Sequence, residues 1–418
     1  MSMDDAPDLT AAELILQRSW GYAQLRTAQR RVVLAGLAAR DCLALLPTGG
    51  GKSICFQLPA VVRGGLTLVV SPLISLMQDQ VGALQRRGIA ADYLSSTQPA
   101  EARAAVLERL RAGTLTLLYV APERLPSLLR DHRIVCDLLA VDEAHCISEW
   151  GHEFRPDYRA LGTHRLALGN PPTLAVTATA TPATRADIVT TLGLRSPVRV
   201  VASFDRPNLH FAVRRCADER ARLYEALALV RDTPGTVIAY VPTRNRADGV
   251  AAWFLRKGLA AAPYHADLPG DARRDLLTRF LEGSVRVMAA TNAFGMGIDK
   301  PDVRLVLHLG IPSRPEAYYQ EAGRAGRDGA PARCALLWTA KDLALMSRLA
   351  GRGPAAQQGL RTMRDYAQRR RCRRHVLLEY LGERLVRCAG CDVCRPARGW
   401  GLGGWILPAR RVADRHPG

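Results

Sequence analysis

Lysine is almost missing from this chain of 418 residues: it occurs at Lys52, Lys257, Lys300 and Lys341, against 54 arginines. Long apolar runs are missing as well. A membrane-spanning helix needs about 20 consecutive apolar residues, whereas runs such as Leu66–Val70 have the length of a buried strand. The first ten residues, MSMDDAPDLT, are acidic and lack the basic-then-apolar order of a secretory signal. The expectation is a cytoplasmic protein with no membrane partner. The 48% hydrophobic and 23% charged content is that of a globular chain and excludes a disordered or fibrous one. The length allows two or three domains.

Negative charge is in deficit. The formal net charge is +19, and such a surplus points to an anionic partner such as nucleic acid. A compositional bias toward arginine is the competing explanation, and the scarcity of lysine gives it force. The distribution favours a binding surface: residues 342–418 hold sixteen arginines against six acids, about half the surplus in the last fifth of the chain. There are ten cysteines. Cys42, Cys55, Cys136, Cys146, Cys216 and Cys334 sit among apolar neighbours and read as buried free thiols, whereas Cys372, Cys388, Cys391 and Cys394 are clustered.

Short β-rich runs alternate with helical patterns, which predicts parallel sheets with helices on both faces. The first series of predicted strands is Cys42–Leu46, Leu66–Val70, Leu115–Val120, Leu138–Val141 and Leu174–Thr177. The second is Val237–Val241, Val285–Ala290, Val303–Leu307 and Ala335–Trp338. Two α/β lobes fit better than one very wide sheet, with a join near Ser203-Phe204-Asp205-Arg206-Pro207. The predicted organisation is a first lobe over 1–204, a second over 205–341, a basic helical module over 342–398 and a poorly ordered tail over 399–418.

The apolar run Leu43–Leu46 leads into Pro47-Thr48-Gly49-Gly50-Gly51-Lys52-Ser53 and then an amphipathic helix. Three glycines let backbone N–H groups curl around phosphate oxygens, and the helix N-terminus adds partial positive charge. Lys52 would reach the β- and γ-phosphates of ATP, and the Ser53 hydroxyl would ligate Mg²⁺. Leu46 stands where the strict pattern GxxxxGK[ST] has its first glycine, so alone the run could be a flexible turn. The run Asp142-Glu143-Ala144-His145, closing the strand Leu138–Val141, completes the site. Asp142 is placed to hold Mg²⁺ and Glu143 to act as general base on the attacking water. Gln320-Glu321-Ala322-Gly323-Arg324-Ala325-Gly326-Arg327 offers two arginines from the second lobe for charge developing on the γ-phosphoryl group. Hydrolysis that needs two lobes to close is coupled to motion.

Together these segments resemble superfamily 2 helicases, and specifically the RecQ family of DNA helicases, over roughly residues 14–398. The matching segments stand in the family's order: Trp20-Gly21-Tyr22 with Arg26 and Gln29, the glycine loop, Ser71–Gln80, Ala121–Leu125, DEAH, Thr177–Thr181, Ala290–Asp299 and Gln320–Arg327. The resemblance implies two tandem RecA-like lobes. It implies that Tyr22 and Arg26 sandwich the adenine with Gln29 at its edge. It places Thr48, Gly49, Gly50, Gly51 and Asp299 among the nucleotide contacts, and His145, Gln320, Arg324 and Arg327 with the hydrolytic machinery. The segment Cys146–Tyr158, directly after DEAH, resembles the family's aromatic-rich loop, whose Trp150, His152, Phe154 and Arg155 would contact single-stranded DNA, with Thr291 doing so in the second lobe. Read by itself that segment could equally be a loop with Trp150 and Phe154 tucked into the core.

Cys388-Ala389-Gly390-Cys391-Asp392-Val393-Cys394 alone could be a redox or iron–sulfur motif. With Cys372, four thiolates can meet in a tetrahedral Zn²⁺ site, as in the family's zinc module; His375 is a conceivable alternative ligand. The resemblance implies an ATP- and Mg²⁺-dependent helicase moving 3′ to 5′ on single-stranded and forked DNA in recombination and repair. It would be cytoplasmic and nucleoid-associated on DNA, with single-strand-binding or recombination proteins as conceivable partners; the oligomeric state is left open, a monomer being favoured. About 24 residues follow Cys394, too few for the winged-helix domain of longer family members. A DNA-stimulated translocase with little unwinding is the alternative.

Overall fold

The computed structural model describes residues 9–395, apart from 48, 149–153, 296–299 and 350–352. The predicted tail at 399–418 therefore lies outside the described residues, as do Thr48, Trp150, His152 and Asp299.

Two wholly parallel sheets organise the chain. The first contains β1 (Cys42–Leu45), β2 (Thr67–Val70), β3 (Ala91–Leu94), β4 (Leu117–Val120), β5 (Leu138–Val141), β6 (Thr173–Thr177) and β7 (Val198–Val201), in the order β3-β4-β2-β5-β6-β1-β7. The second contains β8 (Leu209–Arg215), β9 (Thr236–Tyr240), β10 (Ala261–Tyr264), β11 (Val287–Ala290), β12 (Val303–Leu309) and β13 (Ala332–Trp338), in the order β10-β11-β9-β12-β13-β8. The fold is α/β, two parallel-sheet lobes followed by the small helical region predicted for the zinc module, with helices at Pro354–Gln368 and Arg373–Tyr380.

Strands β1, β2, β4, β5, β6, β9 and β11 are buried along their whole length, because helices cover both faces of a parallel sheet. The four strands absent from the predicted series, β3, β7, β8 and β10, are the four sheet edges. One apolar core runs through both lobes and into the helical module, taking in Val141, Tyr158, Val306, Tyr318 and Leu377. The opposite faces of the two sheets carry separate cores, around Phe56 in the first and Phe254 in the second. Among the described residues no helix is long and apolar enough to cross a membrane.

The order β5-β6-β1 has a consequence for chemistry. It sets three strand C-termini side by side, the usual ligand-binding edge of a parallel sheet.

Candidate nucleotide, nucleic-acid and metal sites

The phosphate loop leaves β1 and is braced from the start of the helix Thr27–Leu37, by its N-cap Arg26 and by Gln29 in its first turn. Arg26 Nη1 donates to the Gly49 carbonyl at 2.9 Å, and the Gln29 amide donates to the carbonyls of Gly50 at 3.0 Å and Gly51 at 3.3 Å. Gln29 Oε1 in turn accepts from the Arg26 backbone N–H at 2.9 Å. Gly51 has φ +67°, and a Cβ there would strike the Gln29 amide, so this position requires glycine. The helix Ile54–Arg63 starts directly after Ser53 and presents its N-terminus to the loop.

The DEAH run meets the loop through Glu143. Its backbone lies at φ +47°, a left-handed conformation that costs a non-glycine residue about 1–3 kcal/mol and clusters at functional sites. Its carboxylate sits 3.9 Å from Lys52 Nζ and 3.3 Å from His145 Nδ1. The same His145 nitrogen lies 2.8 Å from Thr177 Oγ1, at the end of β6. Asp142 is 3% exposed, and burial followed by the charge of Glu143 pushes its carboxyl up to about 7, against the pull of Lys52 and His145. A buried carboxylate so disfavoured as an anion is relieved by a divalent cation. The Ser53 hydroxyl and the Asp142 carboxylate are hard-oxygen donors of the kind that suits Mg²⁺. Tyr158 donates its hydroxyl to the Asp142 carbonyl at 3.1 Å, a support that reading the motif alone did not find.

The second lobe supplies the opposite wall. The helix Pro315–Ala322 follows β12 and carries Gln320. Gln320 and Arg324 are buried. Arg327 lines a cleft of about 520 Å³ together with Tyr22, Arg26 and Ser53, and its Cγ lies 3.7 Å from where a Cβ of Gly49 would stand. Arg206 fixes the turn that aims these arginines, donating to the carbonyls of Ala325 at 3.1 Å and Gly326 at 2.7 Å. Sequence reading placed Arg206 only in a lobe join. These two carbonyls lie more than a hundred residues away, beyond any local signal.

A second cleft between the lobes, about 710 Å³, includes Phe154, Arg155, Tyr264, Arg273 and Arg274. Phe154 is 38% exposed, and Arg155 donates to the Pro72 carbonyl at 2.8 Å. Thr291 is buried at the end of β11, with its N–H bonded to the Tyr264 carbonyl at 3.1 Å, and its neighbours Asn292 and Ala293 line the cleft.

Cys372, Cys388, Cys391 and Cys394 converge, with every sulfur within 4.8 Å of the others and 4.0 Å between Cys372 and Cys391. Tetrahedral zinc with Zn–S bonds of about 2.3 Å requires sulfurs about 3.8 Å apart. The cluster fits that ion, and His375 stands outside it. Asp392 pins the cluster to β8: its N–H donates to the Phe211 carbonyl at 2.9 Å, and its carboxylate accepts from the Val213 N–H at 3.0 Å and from Arg373 Nε at 2.9 Å.

Comparison with known proteins finds three matching families along the chain. The DEAD/DEAH box helicase family matches residues 26–188, the helicase conserved C-terminal domain 219–329 and the RecQ zinc-binding family 341–395. The chain is 40% identical to the ATP-dependent DNA helicase RecQ of Haemophilus influenzae over 391 residues, 91% of this chain and 63% of that protein. It thus spans less than two thirds of that relative's length. It is 40% identical to the RecQ helicase of Bacillus subtilis, covering 93% of this chain and 68% of the relative, and 44% identical to that of Synechocystis, covering 79% and 71%. Among solved structures it is similar to the Mycobacterium smegmatis helicase Lhr bound to single-stranded DNA and AMP-PNP, with TM-score 0.63 and 20% identity over 85% of this chain and 50% of that one. The helicase MrfA bound to DNA has TM-score 0.64 and 17% identity over 84% and 54%. These likenesses show the two-lobed fold, while identity along the chain and the matched zinc region decide the family: the chain belongs to the RecQ family of DNA helicases.

Proposed function

We propose that this protein is an ATP-dependent DNA helicase that moves 3′ to 5′ along single-stranded DNA and separates duplex ahead of it, in recombination and repair. The observation that carries this reading is the shared cleft in which Arg327 of the second lobe faces the phosphate loop of the first. Closure of that cleft brings a guanidinium against the phosphoryl group as its charge develops, so hydrolysis and inter-lobe motion are one event. In this assignment Tyr22 and Arg26 stack on the base and Gln29 is at its edge. Thr48, the glycines and Lys52 cradle the phosphates. Ser53 and Asp142 would hold Mg²⁺, which when bound neutralises phosphate charge. Glu143 takes the proton of the attacking water, His145 and Thr177 hold that carboxylate in place, and Gln320 and Arg324 support Arg327, with Asp299 on the nucleotide side. Trp150, His152, Phe154, Arg155 and Thr291 contact the strand through its backbone and unpaired bases, without reading sequence. The first lobe is taken as 1–204, the second as 205–341 and the zinc module as 342–398. The place of action is the cytoplasm, on DNA.

The test is ATP hydrolysis with and without single-stranded DNA, followed by unwinding of forked duplexes carrying a 3′ or a 5′ tail. Strand separation from the 3′ tail is expected. Lys52→Ala is expected to abolish DNA-stimulated hydrolysis, and Arg327→Ala to lower kcat on the order of 10³-fold. Unchanged turnover in either variant refutes the site, and DNA-stimulated hydrolysis without strand separation marks a translocase instead.

A further inference from the structure

The helix Ile74–Gln85 belongs to both clefts at once. Its first turns, at Ile74, Ser75 and Gln78, line the inter-lobe cleft that holds Phe154 and Arg155. Its later turns, at Gln80, Ala83 and Leu84, line the nucleotide cleft. Its start is held by Arg155, which donates to the Pro72 carbonyl at 2.8 Å.

Three polar side chains connect this helix to the phosphate loop. Gln57 lies one turn beyond Ser53 on the helix Ile54–Arg63, and Tyr119 stands on β4. The Gln57 amide donates to the Tyr119 hydroxyl at 2.8 Å, and that hydroxyl donates to Gln80 Oε1 at 2.8 Å. Gln57 also reaches Gln80 Oε1 directly, at 3.2 Å. Tyr119 is fully buried, with its ring edge-on to Phe56 at 6.5 Å between centroids. A buried phenol needs a hydrogen-bond partner, but that need is met by any nearby carbonyl. Here the partners come from the two helices that carry the phosphate loop and the cleft wall.

We propose that Tyr119, with Gln57 and Gln80, is a positioning triad that couples the DNA cleft to the nucleotide site, so that a strand bound along the helix Ile74–Gln85 changes the placement of the phosphate-loop helix. The inference rests on the helicase reading above and deepens it. Coupling between two sites is reciprocal: a strand that tightens nucleotide binding must be tightened by nucleotide to the same factor. A group whose role is only to fill the core changes stability without changing that factor.

Tyr119→Phe keeps the ring and its packing and removes the hydroxyl that both glutamines use. In the full chain the expected result is unchanged ATP hydrolysis without DNA and a fall of about fivefold in stimulation by single-stranded DNA, the scale of one buried hydrogen bond. Affinity for a fluorescent single strand is then measured with and without a non-hydrolysable ATP analogue. The ratio of the two affinities is expected to fall severalfold in Tyr119→Phe and in Gln80→Met, which deletes the shared acceptor. A lowered melting temperature with both ratios intact overturns the proposal and leaves Tyr119 a packing residue. If the unsubstituted protein shows no stimulation by DNA, it is the helicase reading that fails.

Discussion

At the scale of single residues, Glu143 concentrates most of the chemistry. Its left-handed backbone, its 3.9 Å approach to Lys52 and its 3.3 Å approach to His145 hold one carboxylate between a loop cation and the DEAH histidine. Glu143→Gln preserves the shape but removes the carboxylate proposed as the base. Turnover is expected to fall about 10²–10⁴-fold, with nucleotide affinity changed only a few-fold. A single-turnover hydrolysis assay beside a binding titration separates the two; parallel loss of both would show that the side chain holds nucleotide and is not the base. Lys52, Asp142 and Glu143 stand out as candidates in the sequence because phosphate cradling and general-base chemistry are made by a few consecutive residues after a strand. The brace that Arg26 and Gln29 place on the loop carbonyls was not legible, since their partners lie more than twenty residues away.

At the scale of elements, the helix Pro315–Ala322 joins three parts of the molecule through Glu316. This carboxylate is 2% exposed, accepts from the Tyr380 hydroxyl of the helical module at 3.1 Å, and leaves Oε2 without a hydrogen-bond partner. Burial raises its pKa above the ordinary carboxylate value, while Tyr380, Arg314 and His145 pull the other way. The folded protein therefore holds a proton that the unfolded chain has lost, so this group's contribution to stability is present below the unfolded pKa and declines as pH rises through the folded one. Glu316→Gln, a neutral isostere, is expected to melt close to the parent in acid and progressively above it as pH rises through that window. Melting curves across pH check this; a difference that does not vary with pH would show that the carboxyl does not titrate there. The sheet edges tell the same story of context. Central strands announce themselves as unbroken apolar runs. Edge strands such as Val198–Val201, with its exposed Arg199, and Ala261–Tyr264, with its Pro263, carry polar or non-donating residues that read as loop until a neighbour pairs with them.

At the scale of the whole molecule, the zinc module is a clasp. Glu383 accepts from the Ser203 hydroxyl and the Phe204 N–H, both at 2.6 Å, and Arg185 of the first lobe donates to the Leu381 carbonyl at 2.5 Å. Cys391 itself bridges to Phe211 on the edge strand β8. Stripping the metal with a chelator, or Cys388→Ser, is expected to lower the melting temperature on the order of 10 °C and to uncover that edge for aggregation. Metal analysis should find one zinc per chain in the parent. A chain that carries no metal and melts unchanged after chelation would sink the assignment.

What the amino-acid sequence determined by itself is the chemistry that contiguous residues make: a glycine loop ahead of a helix, a strand ending in two acids, four spaced thiols, two lobes of alternating strands and helices. Tertiary structure alone decided which of these meet. The order β5-β6-β1 sets Thr177 beside DEAH, the packing of the two lobes brings Arg327 within reach of Gly49, and parallel pairing seats Tyr119 between the helices bearing Gln57 and Gln80. The reason is physical. A cap, a turn or a metal-binding knuckle is stabilised by neighbours along the chain, whereas partners a hundred residues apart are chosen by how whole sheets and helices pack, and no local stretch encodes that choice.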